Sequence, residues 1–200
     1  PHTLEAQLAK AIDRRAIDLV VDVGAHRGEF VHQVRAACGY DGDIISFEPT
    51  TRTYAALEPL VQADARWSAH RMALGAEAGE GTLHTSEGSV FNSLHDASDF
   101  GRRSYDVLES ETEETVAVAR CDDVLPGLVP DWERRSILLK ADTQGHDLEV
   151  LAGAASTMAH VQALLVEVPV QNLYEDVPDF LAYLEVLLAT GLQLAGLFPV

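Results

Sequence analysis

Five short, largely apolar runs divide the chain: Leu19–Val23, Asp43–Phe47, Trp67–Leu74, Ile137–Ala141 and Ala163–Val168. Runs of this length suit strands buried on both faces, the condition of a parallel sheet covered by helices. Between and around them lie segments with helical spacing. Leu4, Leu8, Ala11, Ile12 and Ala16 recur at three- and four-residue steps, and Glu29–Cys38, Thr53–Leu60, Leu148–Met158 and Phe180–Ala189 read as further helices. The expected fold class is α/β: a doubly wound, mainly parallel sheet in a three-layer α/β/α arrangement. Ligands on such a sheet gather at the carboxyl ends of the strands, so site residues are sought there.

At 200 residues and 47% hydrophobic content the chain suffices for one core, and residues 1–200 are read as a single domain without repeats or linkers. A hairpin is expected around Thr82-Leu83-His84, an edge strand over Thr115–Ala119, and an incomplete C-terminal strand from Leu192 to Val200. Ser86 to Glu114 is polar and aperiodic, which suggests a mobile lid-like loop over about 86–114. A net charge of −18 argues against nucleic acid or an anionic membrane as partner, since both are gripped by clustered Lys and Arg. Two distant cysteines, Cys38 and Cys121, form neither a disulfide framework nor a zinc knuckle, and no stretch approaches the ~18 apolar residues of a membrane span. A cytoplasmic location is the expectation. Twelve arginines against two lysines, with abundant alanine, suit a high-GC bacterium.

In Val21-Asp22-Val23-Gly24-Ala25-His26-Arg27-Gly28, two glycines stand four apart between a strand and a helix. Glycine admits close backbone approach there, and the helix N-terminus offers unpaired N–H groups. Alone, this is an ordinary strand-to-helix turn. Glu48, however, closes the second strand about twenty residues on, where a carboxylate can accept from ribose hydroxyls. A nicotinamide oxidoreductase would favour G-x-G-x-x-G for its pyrophosphate, and Asp22 suits a cationic methionyl group better than a pyrophosphate. A non-catalytic module that keeps the nucleoside fold as a scaffold is the other alternative.

These blocks, with Phe47-Glu48-Pro49, Ala73-Leu74-Gly75 and Lys140-Ala141-Asp142-Thr143-Gln144-Gly145-His146-Asp147-Leu148-Glu149-Val150-Leu151, resemble the FkbM-type family of S-adenosylmethionine-dependent methyltransferases. The similar spacing runs from Asp22 through Tyr174. The resemblance implies a class I methyltransferase fold, S-adenosylmethionine as cofactor, and O-methylation, frequently of a sugar or natural-product hydroxyl. It implies that Asp22, Gly24, Ala25 and Gly28 hold the methionyl end and Glu48 the ribose, that Met72 and Ala73 flank the adenine, and that Asn92 faces the donor.

A sugar hydroxyl is a very weak acid and needs a base or a cation to help it lose its proton. Asp142 and Glu167 end neighbouring strands, and their carboxylates are candidates to hold Mg²⁺; otherwise Asp142 contacts the donor. His146, just beyond the fourth strand, is the candidate base, although the resembling family commonly has other residues there. His26 either touches the donor's carboxylate or faces solvent, while His70, His84, His95 and His160 show no ligand spacing. Arg102-Arg103 are candidates for an anionic substrate, and Tyr174 and Trp132 for stacking on a sugar. The partner expected is a small-molecule or oligosaccharide acceptor, such as a polysaccharide precursor, with a homodimer as the oligomer to test.

Overall fold

The computed structural model describes residues 3–86, 90–109 and 112–199. Its main sheet is parallel throughout and has five strands in the order β3-β2-β1-β7-β8: β1 (Leu19–Val23), β2 (Asp43–Phe47), β3 (Trp67–His70), β7 (Ile137–Ala141) and β8 (Val161–Val166). Helices α1 (Leu4–Arg14), α2 (Glu29–Cys38), α3 (Thr51–Gln62), α5 (Cys121–Leu128), α6 (Asp147–Gly153) and α7 (Phe180–Ala189) complete the alternation.

Period-two alternation along β1 sorts the core. Leu19, Val21 and Val23 join Leu125, Val150 and Leu151 in one cluster, while Val20 joins Leu8, Val31, Val34 and Leu57 in another. Both faces are therefore dry, as the apolar runs predicted. The doubly wound α/β expectation holds.

Several sequence-level elements differ. The third apolar run is not one strand: the Met72 N–H donates to His70 O, the chain turns, and Ala73–Leu74 (β4) leaves the main sheet. It pairs instead with β6 (Thr112–Ala119) in a second sheet ordered β4-β6-β5. Thr82-Leu83-His84 are not a hairpin but mid-strand in β5 (Gly79–Thr85), paired antiparallel with β6. β6 is accordingly the middle strand of this sheet rather than an edge. A local reading could not see this, because β5 and β6 meet across a long connection.

Within 86–114 the chain forms α4 (Asp99–Ser104), capped by Ser98, and a 3₁₀ turn over Asp106–Glu109. Residues 87–89, 110 and 111 of that segment lie outside the described residues. The predicted helix Leu148–Met158 ends at Gly153, with a separate 3₁₀ turn over Thr157–His160. Residues 192–199 carry no strand; an apolar run becomes one only by pairing with an edge. Among the described residues, no helix is long and apolar enough to cross a membrane.

Candidate active site

A cavity of about 340 Å³ opens at the carboxyl ends of the main strands, within the roughly 300–1,000 Å³ typical of small-molecule sites. Gly24, Ala25, Glu48, Met72, Ala73, Asn92, Asp142, His146 and Glu167 all line it. Nine positions from five strand ends and the 90–94 segment thus converge on one space.

Glu48 sits immediately after β2 and is 5% exposed. Its Oε2 accepts the His26 N–H and its Oε1 the Thr50 N–H, both at 3.0 Å, so the carboxylate is clamped between two loops. Burial pushes its carboxyl up, and these backbone bonds oppose the shift. Each oxygen keeps lone pairs for a ligand's hydroxyls. Asn92 bridges the same region: its Oδ1 accepts the Ser86 N–H and its amide donates to Thr50 Oγ1.

Gly24 has φ +75°, and a Cβ there would lie 1.9 Å from Asp142 O. The glycine is required because the loops after β1 and β7 touch. Gly28 does not line the cavity; a Cβ on it would meet Trp67 Cη2 at 2.7 Å, so its role is to let α2 pack against Trp67 and Leu57.

Asp22 is also absent from the cavity wall. Register places Ser46, Asp22 and Lys140 side by side on β2, β1 and β7, all buried. The Ser46 hydroxyl donates to Asp22 Oδ2 and the Trp67 indole N–H donates to Ser46 Oγ, while Lys140 Nζ stands 3.1 Å from Asp22 Oδ1. Lys140 thus gives Asp22 a cationic neighbour within the protein. Lys140 also donates to Gly24 O at 2.6 Å and to Val23 O at 3.3 Å, bracing the glycine loop from beneath. Burial alone would pull the ammonium down, but Asp22 and Asp142 outweigh it and hold it above the usual lysine range.

Asp142 and Glu167 do converge. The Gln144 amide donates to Glu167 Oε2 at 2.7 Å and reaches Asp142 Oδ1 at 3.4 Å, and Gln144 itself adopts a left-handed φ of +54°. Burial, then the adjoining Asp142 charge, pushes the Glu167 carboxyl up to about 8. Lys140 Nζ lies 3.8 Å from Asp142 Oδ2. Asp147 organises the turn that presents these groups: its Oδ1 accepts from the Thr143 N–H and hydroxyl, and burial pushes its carboxyl up to about 6.

His146 lines the cavity, but its Nδ1 faces His95 Nε2 at 3.4 Å and its Nε2 lies against Gly75. Burial pulls its imidazole below the usual range, and nearby Glu149 opposes this. His26 pairs through Nδ1 with Glu29 Oε1 at 3.0 Å. Tyr174 donates to Phe91 O and lies 3.1 Å from Gln144 Oε1, behind the wall. Trp132 stacks edge-on against His160, and neither it nor Arg102-Arg103 lines the cavity. Lys140 and Gln144, both lining, were given no role on sequence grounds, although their strand-end positions were the available signal.

Residues 22–194 match the methyltransferase FkbM domain family. No curated protein matches the chain. Among solved structures, methyltransferase FkbM from Methylobacillus flagellatus KT superposes with a TM-score of 0.54 at 16% identity, over 87% of this chain. The chain spans 37% of that protein's chain, and the likeness at this identity concerns the fold.

Proposed function

The chain belongs to the methyltransferase FkbM domain family, and from that premise we propose that it is an S-adenosylmethionine-dependent O-methyltransferase acting on a hydroxyl of a carbohydrate or glycosylated small molecule. The observation that carries this reading is the meeting of Glu48, Ala25 and Met72 with the Asp142–Glu167 carboxyl pair in one cavity. One half of that cavity has nucleoside chemistry and the other has proton-accepting chemistry.

The residues present fit the donor. Glu48, clamped by two backbone N–H groups, offers its remaining lone pairs to the ribose, and Met72 and Ala73 form an apolar flank for the adenine. When bound, S-adenosylmethionine supplies an electrophilic methyl group on a sulfonium. The acceptor's hydroxyl proton passes to the Asp142–Glu167 pair, whose upward-shifted Glu167 is matched to a base working near neutrality. His146, the sequence candidate for this step, directs its Nδ1 toward His95 and Glu149, so we assign the proton to the carboxyl pair. Gln144, held on Tyr174, orients Glu167. Residues 90–94 contribute Val90, Asn92 and Leu94 to the wall, and excluding water there favours transfer.

A second reading has Mg²⁺ held by Asp142 and Glu167, because Mg²⁺ commonly takes one or two carboxylates with water. It would lower the acceptor hydroxyl's pKa in place of a base.

The test is calorimetric titration with S-adenosylhomocysteine, then methylation of a mannoside, rhamnoside and glucoside panel with Mg²⁺ or with EDTA. Micromolar binding and methylated sugar support the reading, and insensitivity to EDTA selects the carboxyl base. Absence of binding, or activity confined to protein or aromatic acceptors, refutes it.

A further inference from the structure

His95, His146 and Glu149 bring one ligand atom each to within 4.8 Å of one another. They meet beside a second hollow lined by Gly75, Gly81, Thr82, Leu94, His146 and Glu149, which shares Leu94 and His146 with the main cavity. His146 Nδ1 stands 3.4 Å from His95 Nε2 and 3.8 Å from Glu149 Oε2. Ligand atoms held about 2.0–2.1 Å from a tetrahedral Zn²⁺ are themselves separated by about 3.3–3.4 Å. One edge of that figure is already in place, and rotation of Glu149, whose side chain is 36% exposed, closes the others.

The backbone holds this trio in register. His146 caps α6 and Glu149 follows one turn later, so the two share a helix face. His95 comes from the opposite side, and its own N–H donates to Ser93 Oγ, whose hydroxyl in turn donates to Gln144 O just before α6. Ser93 is fully buried, so this tie fixes where the His95 backbone sits. One carboxylate oxygen is left without a hydrogen bond: among the described residues, Glu149 Oε2 is shut from solvent and lies 3.8 Å from His146 Nδ1, beyond hydrogen-bond reach. A buried carboxylate oxygen in that state is costly unless a cation or donor meets it.

We propose that His95, His146 and Glu149 form a binding site for a transition-metal ion of the Zn²⁺ class. Two imidazoles and one carboxylate suit Zn²⁺, Ni²⁺ or Cu²⁺ rather than Mg²⁺, and they leave one position of a tetrahedron open. The ion fastens the 93–95 segment to α6. The site is separate from the Asp142–Glu167 pair and stands whether or not the methyl-transfer reading does.

The test is titration of metal-stripped protein with Zn²⁺ against a chromogenic chelator, with Co²⁺ as a spectroscopic substitute. We expect one equivalent bound at micromolar affinity or tighter, intense four-coordinate Co²⁺ absorption, and at least tenfold weaker Zn²⁺ binding in His95→Ala and in Glu149→Gln. Asp142→Asn keeps the wild-type affinity. Because a variant can lose metal by failing to fold, circular dichroism of each metal-free variant accompanies its titration, and the Co²⁺ spectrum of the unmodified protein stands independently of every variant. Absence of Zn²⁺ uptake, octahedral Co²⁺ absorption, unchanged affinity in folded His95→Ala, or loss in Asp142→Asn each overturns the proposal.

Discussion

Replacing Lys140 with Met removes the cation from a row in which Asp22 has no access to solvent. Asp22 and Lys140 lie 3.1 Å apart, with side chains 0% and 7% exposed. At an effective dielectric of about 20, two unit charges at that separation attract by about 5 kcal/mol, and removing one member of a buried pair costs about 3–5 kcal/mol because the other charge is stranded. Gly24 O also loses its 2.6 Å donor. For a domain of this size, 1 kcal/mol corresponds to about 2–4 °C, so Lys140→Met should lower the melting temperature by roughly 10 °C. Urea unfolding of Lys140→Met, Asp22→Asn and the double variant measures the coupling; the double variant should recover much of the loss, because no buried charge remains. A single-variant cost below about 1 kcal/mol, or a double variant as unstable as the sum of the singles, refutes the ion-pair account.

Glu48→Gln should weaken S-adenosylhomocysteine binding by about 10–100-fold, the value of hydrogen bonds to a charged group, and should also cost about 1–3 kcal/mol of stability, because the new NH2 faces a backbone N–H that a carboxylate oxygen now accepts; calorimetry and urea midpoints decide it. Gly24→Ala forces a Cβ toward Asp142 O at a positive φ and should cost about 1–3 kcal/mol or more, read from urea midpoints. Glu167 carries a carboxyl at about 8 in the folded protein against 4.5 unfolded, so its contribution to stability is full below about 4.5 and is lost as pH rises through about 8. Glu167→Gln should flatten that part of the stability profile, and, under the proposed function, the methyl-transfer rate of the unmodified protein should climb toward a plateau above about pH 8 as the proton leaves.

The sequence determined the layers and most of the residues that line the cavity. Buried strands such as β1 and β7 are legible because both their faces are apolar, and Glu48, Asp142 and Glu167 are legible because a parallel sheet brings its strand ends to one side. What periodicity cannot carry is register, and register set the surroundings of Asp22: only β1 aligned with β2 and β7 makes Ser46 and Lys140 its neighbours and gives it an internal ion pair. The packing of Gly28 against Trp67 is likewise visible only in the tertiary structure. His95 has no ligand spacing in sequence with His146 and meets it only because the Ser93 hydroxyl pins its segment to the loop before α6. Local pattern reports which surface of an element must be buried. Which side chains then touch depends on contacts between residues far apart in the chain, and those exist only once the tertiary structure has formed.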